Sequence, residues 1–136
     1  MSQQFIIAPE TIIQAYTLGI FPMATSKSSR DIQFFQPEVR GVLPFRPPKI
    51  PKKLLRLLKK QPFEIQWNQN FPAVIDGCAA PRTHTKDTWI NPMIRRLYIS
   101  LHMLGFAHSV EAYQEGNLIG GLYGVAIGGA FFGESM

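Results

Sequence analysis

The residues GGLYGVAIGGAFFGESM, 120–136, hold six glycines and one acid, Glu134. The stretch reads as a strand-rich core, which leaves open what a lone carboxylate does there. GGLYGVAIGG lacks the lysine of a phosphate-binding loop and the strand-to-helix layout that a dinucleotide fingerprint requires. Glycines within strands mark bulges or points where a backbone or ligand comes close. A twisted hairpin and a surface cleared for a bulky ligand are equally compatible with them.

The other chemically capable residues are scattered. His84, His102 and His108 share no metal-ligand spacing, and a structural role is expected for each. The single cysteine, Cys78, excludes an internal disulfide and a multi-cysteine metal site, and reads as a buried inert thiol. No metal and no cofactor is expected. Trp89 follows Asp87-Thr88 in a loop, where a rigid scaffold can present it for function. Met23 and Met136 are flexible apolar residues suited to an adaptable pocket.

Charge is uneven. Fourteen Lys and Arg against nine Asp and Glu give a net charge of +5. RPPKIPKKLLRLLKK, 46–60, concentrates Arg46, Lys49, Lys52, Lys53, Arg56, Lys59 and Lys60 without an acid. Such a face fits the backbone of a folded RNA, where counterion release supplies affinity without base readout. A membrane surface is the lesser reading, because Pro47, Pro48 and Pro51 limit the helix to about 10 residues. The longest apolar run is interrupted by glycines and too short to span a bilayer, and MSQQFIIAPE has no secretory signal pattern. A reducing, cytoplasmic setting is expected.

These residues must be positioned by a short list of elements. IAPETIIQAYTLG predicts a helix opened by Pro9 and stopped by Gly19, with Ile12, Ile13 and Tyr16 on its apolar face. MATSKSSRD reads as a polar loop, and IQFFQPEVRGVLPF as two strands about a Pro37 turn. PKKLLRLLKK predicts a short amphipathic helix with Leu54, Leu55, Leu57 and Leu58 facing inward. From Phe63 onward the order is strand, helix, loop, helix, strand, strand, strand, with Asn91-Pro92 opening the longest helix and Gly105 closing it. Helices ahead of antiparallel strands indicate an α+β fold.

AYTLGIFPM, PEVRGVLPF, FPAVIDGCAAPR, DTWINP, LHMLGFAHSVEAY and GGLYGVAIGGAFFGESM occur in the order and at the intervals of one family. From about residue 9 to Met136 the chain resembles the leucyl/phenylalanyl-tRNA–protein transferases, in their alphaproteobacterial form. The resemblance implies a small N-terminal domain, 1–45, and a GNAT-like acyltransferase domain with a mainly antiparallel sheet, 46–136 and incomplete. It implies transfer of Leu or Phe, less well Met, from aminoacyl-tRNA to acceptor proteins with N-terminal Arg or Lys, in N-end rule degradation. It also implies a cytoplasmic monomer that uses neither DNA nor membrane. Glu134 would be the catalytic acid of the GESM motif, flanked by Gly133 and Ser135, with Met23, Trp89, Leu122 and Met136 around the aminoacyl and adenosine pocket. Met23 stands where the family often has Trp. The family continues past GESM into a segment bearing Asp-x-Gln, so the chain is expected to be truncated. The alternative is an inactive remnant that retains tRNA binding only.

Overall fold

The computed structural model describes residues 7–136. Pro9 opens α1 (Pro9–Thr17), where its fixed φ suits the first turn and its missing N–H costs nothing. Gly19 follows at φ +75°, a left-handed exit that lets the chain turn directly into β1 (Phe21–Ala24). β1 pairs antiparallel with β2 (Ile32–Phe35), Met23 opposite Gln33. Met23 and Ala24 therefore belong to a strand rather than to the expected loop; alternating burial of Pro22 and Ala24 holds them there.

Two expectations fail beyond β2. No second strand forms after Pro37: residues 36–51 contain no strand, and Phe45 is 96% exposed. A β-branched, aromatic stretch makes a strand only when another edge can take its backbone groups, and none among the described residues does. The helix α2 (Lys52–Lys59) forms as expected, but Leu54, Leu55, Leu57 and Leu58 stay two-fifths exposed and none is buried. Pro47, Pro48 and Pro51 precede α2, and no apolar element among the described residues covers its leucine side.

From β3 (Glu64–Trp67) the order is the expected one: α3 (Phe71–Cys78), α4 (Pro92–Met103), β4 (Ala107–Gln114), β5 (Asn117–Ile127) and β6 (Ala130–Ser135). The four strands form an antiparallel sheet in the order β3-β4-β5-β6. Asn70 and Asn91 cap their helices, Oδ1 accepting from Ala73 N at 3.2 Å and from Ile94 N at 2.8 Å. Glu115 and Gly116 both take positive φ, as the tight β4–β5 turn requires. The α+β class is the one expected.

α3 and α4 cover one face of the sheet. Phe71, Val74, Ile75, Ile94, Tyr98 and Leu101 pack with Ala107, Tyr123 and Val125, and Ile12, Tyr16 and Ala24 of the N-terminal elements enter the same buried cluster. His102 is structural here: its ring stacks on Phe71 at 4.5 Å and its Nδ1 meets the Ala107 carbonyl at 2.9 Å. Two strand glycines admit close packing, Gly121 beneath α3 and Gly124 on the opposite face against β6. Gly121 lets the Val74 methyls reach within 3.1 Å of where a Cβ would stand. At Gly124 a Cβ would collide with the Phe132 carbonyl and lie 2.5 Å from the Phe131 ring.

Gly124→Ala should therefore destabilise the chain by about 1–3 kcal/mol, the usual range for overpacking. Gly120→Ala, where nothing lies within 4 Å, should stay within about 0.5 kcal/mol of wild type. Urea unfolding of the two variants checks this; equal midpoints would contradict the packing described.

Candidate functional site

β6 does not pair evenly with β5. Tyr123 stands opposite Ser135 and Gly124 opposite Gly133, so Glu134 is the extra residue of a bulge. A bulge re-aims the side chain it carries, and this one directs Glu134 at α1 and α4. The Tyr16 hydroxyl donates to Glu134 Oε1. The Tyr16 and Tyr98 hydroxyls are 2.6 Å apart. Because the single Tyr16 proton goes to the carboxylate, Tyr98 is the donor in that second bond. Tyr98 → Tyr16 → Glu134 is thus a directed chain across three elements.

Burial pushes the Glu134 carboxyl above the usual carboxylate range, against the opposing pull of the Tyr16 hydrogen bond, the Arg40 charge and the Tyr98 hydroxyl. Burial, and then the Glu134 charge, drives Tyr16 and Tyr98 upward, so both remain protonated donors. Tyr123 joins them from β5: its hydroxyl is buried and has no hydrogen-bond partner among the described residues, and burial raises it too. One acid ringed by tyrosines can accept protons or an amine, and it is held by groups that stay neutral.

Beside this cluster lies an open cavity of about 370 Å³, lined in part by Cys78, Arg82, Thr85, Asp87, Trp89 and Ser135. Asp87 shapes its rim, Oδ1 accepting from Lys27 N at 2.9 Å and Thr88 N at 2.8 Å. These bonds, the Lys27 one first, keep the exposed Asp87 carboxyl below its ordinary value. Cys78 is buried against the cavity wall; burial raises its thiol although Ser135 and Arg82 pull the other way, which fits the inert reading.

Of the residues predicted from sequence, Trp89 and Ser135 line the cavity, and Glu134 is next to Ser135 in the chain. Met23 is half-buried on β1, linked to the Trp89 loop by the bond from Ala24 N to the Trp89 carbonyl at 3.1 Å. Gly133 lies opposite Gly124 with open space around it. Met136 is exposed, and its carbonyl accepts from Arg82. Leu122 is not brought together with them. Gly121 and Tyr123 face the helices, so strand alternation puts Leu122 on the other side of the sheet. Arg46, Lys49, Lys52, Lys53, Arg56, Lys59 and Lys60 are all exposed, on or leading to α2. From Val39 through Phe63 the sequence carries no acid.

Tyr16, Tyr98 and Tyr123 were not anticipated as site residues. The available signal was a hydroxyl on each of three apolar faces, since a buried tyrosine ordinarily needs a partner. Glu111 was also missed, and it serves a different end. It accepts from Ser109 Oγ at 2.7 Å, Asn70 N at 3.0 Å, Gln69 N at 3.1 Å and Tyr113 OH at 3.1 Å, pinning the start of α3 to β4. Burial alone would raise this carboxyl, but the four donors together bring it below its ordinary value.

Residues 42–136 match the family model described as leucyl/phenylalanyl-tRNA protein transferase, and residues 6–38 match that family's N-terminal domain. Over 130 residues, 96% of the chain, it is 49% identical to a leucyl/phenylalanyl-tRNA–protein transferase of Rhodopseudomonas palustris (strain HaA2). It is 48% identical over the same length to the protein of that name from Nitrobacter winogradskyi. Each match covers 58% of the relative, so the chain spans about three-fifths of the length of these curated relatives.

The two carboxylates should answer pH and substitution oppositely. Glu111, lowered in the fold, stabilises above the ordinary carboxylate range and loses that contribution as pH falls through its folded value. Glu134, raised in the fold, contributes at low pH and becomes a cost as pH rises through its folded value. At pH 7, Glu111→Gln should cost about 1–3 kcal/mol, while Glu134→Gln should be neutral or stabilising. Urea titrations at pH 7 decide: an equal loss in both variants would refute the assignment of Glu134 as a residue kept at the expense of stability.

Proposed function

The chain belongs to the leucyl/phenylalanyl-tRNA protein transferase family, and from that premise we propose that it binds the 3′ end of an aminoacyl-tRNA with Glu134 at the reaction centre. The substrates are leucyl- or phenylalanyl-tRNA, with methionyl-tRNA weaker, and the acceptor is a protein whose N-terminal residue is Arg or Lys. The product carries one further apolar residue at its N-terminus and enters N-end rule degradation in the cytoplasm. The sheet with its helical cover corresponds to part of a GNAT-like acyltransferase domain.

The reaction is aminolysis of an ester. The acceptor amine nitrogen bonds to the aminoacyl carbonyl carbon, the tetrahedral intermediate collapses, and the ribose oxygen leaves carrying the proton released by the amine. Positioning and electrostatics supply most of the rate in such a scheme. Glu134 is built to receive the α-amine of the aminoacyl group: its carboxylate is oriented by Tyr16, and Tyr16 by Tyr98. Trp89, Met23, Gly133, Ser135 and Met136 shape the hollow for the apolar side chain and the terminal adenosine. Leu122 stands on the other sheet face and is left out of this arrangement. The exposed cations of α2 and its approach meet the tRNA phosphates.

The observation that carries this reading is the tyrosine-held Glu134 immediately beside a residue that lines the cavity. Filter binding of the 136-residue chain to leucyl-tRNA at several salt concentrations tests it. Binding should weaken steeply with salt, and Lys52→Ala, Lys53→Ala, Lys59→Ala and Lys60→Ala together should reduce both affinity, by about tenfold or more, and the salt slope. Absence of binding at low salt would overturn the proposal. Binding without leucine transfer to an Arg-starting peptide would assign these residues to tRNA binding alone.

A further inference from the structure

Within the acid-free stretch 39–63, Arg40 differs from its neighbours. Its charged group is engaged by the fold, whereas no ion pair or side-chain hydrogen bond holds those of α2 among the described residues. Arg40 Nη2 donates to the Gly19 carbonyl at 2.7 Å. The guanidinium also lies between two rings, 5.2 Å from the centroid of Phe21 and 5.8 Å from that of Phe132. Phe21 is on β1 and Phe132 on β6, so one side chain ties the N-terminal hairpin to the strand that carries Glu134. Phe132 packs in turn on Tyr16, ring centroids 5.2 Å apart, and Tyr16 is the donor to Glu134.

A guanidinium clasped by aromatic faces has a fixed plane and carries a delocalised positive charge. We propose that Arg40 is a positioning residue for Glu134: clamped between Phe21 and Phe132, it supplies the positive charge that the buried carboxylate faces and pins the strap at 36–40 to the exit of α1. Gln36 completes that attachment, donating from Nε2 to the Leu18 carbonyl at 3.2 Å. The other titratable groups facing Glu134 are Tyr16 from α1, Tyr98 from α4 and Tyr123 from β5, which are neutral at ordinary pH. The guanidinium and the carboxylate are joined through Phe132 and Tyr16, and the Arg40 charge opposes the effect of burial on Glu134. An acid that must hold a substrate amine has to be ionised, and burial opposes this; Arg40 offsets part of that opposition. The purpose of the charge rests on the function proposed above, but the clamp and its effect on Glu134 do not.

The test follows the Glu134 carboxyl carbon by NMR in the 136-residue chain with 13C-labelled glutamate, the signal being assigned with Glu134→Gln. Arg40→Gln should raise the titration midpoint of Glu134 by about half a pH unit or more, roughly a threefold change in proton affinity. Arg40→Lys, which keeps the charge without the planar clamp, should raise it less. Added salt should move the wild-type midpoint toward that of Arg40→Gln and hardly move the variant, since Arg40 is exposed and acts through space. A midpoint common to all three folded proteins would overturn the proposal. If Arg40→Gln does not fold, the wild-type salt response decides, and a salt-independent midpoint is the overturning result. Failure to bind leucyl-tRNA would leave these titrations unaffected, so the two readings fall separately.

Discussion

The energetics of this molecule turn on placing a carboxylate among apolar side chains and three tyrosines. An ionised acid removed from water is costly unless donors and a countercharge compensate it. Glu134 receives a donor from Tyr16 and the field of Arg40, which offset part of the cost but leave its affinity for a proton raised. Glu111 is the internal control. It is equally a strand carboxylate, yet four donors satisfy it and bring its proton affinity below normal. One acid is placed to hold the fold together; the other is held by the fold at some expense to stability.

The elements around Glu134 follow from that requirement. α1 brings Tyr16, α4 brings Tyr98 and β5 brings Tyr123, and each contributes to the shared core through the ring that carries the hydroxyl. The bulge opposite Tyr123 and Gly124 turns the acid toward them. The region from Gly41 to Lys60 is built on different terms. It packs little, carries its charge outward and exposes both cations and apolar side chains.

Much of this was legible in the amino-acid order. Pro9, Gly19, Asn91 and Gly105 mark real helix ends because their effects are local and steric, and the sequence of elements after Phe63 follows from periodicity and turn chemistry. The resemblance pointed to Glu134, Met23, Trp89, Leu122, Gly133, Ser135 and Met136; of these Trp89 and Ser135 line one cavity, and Leu122 stands on the other face of the sheet. What could not be read depended on distant partners. Whether Val39–Phe45 forms a strand is decided by an edge elsewhere in the chain, and whether the leucines of α2 are covered is decided by what lies opposite them. The Tyr16–Tyr98 bond spans 82 positions in sequence, and nothing local to either residue announces it. The face occupied by Leu122 likewise depends on the register of β5 against β4, which a run of glycines leaves loosely specified.

The most direct test of the central claim is to titrate the labelled chain with a hydrolysis-resistant leucyl-adenosine, its aminoacyl group joined to the ribose by an amide, and to watch where the signals move. Perturbations should centre on Glu134, Ser135 and the Trp89 indole, and Glu134→Ala should abolish saturable binding while the chain remains folded. Saturable binding that leaves those three signals untouched, or that survives Glu134→Ala unchanged, would contradict that claim.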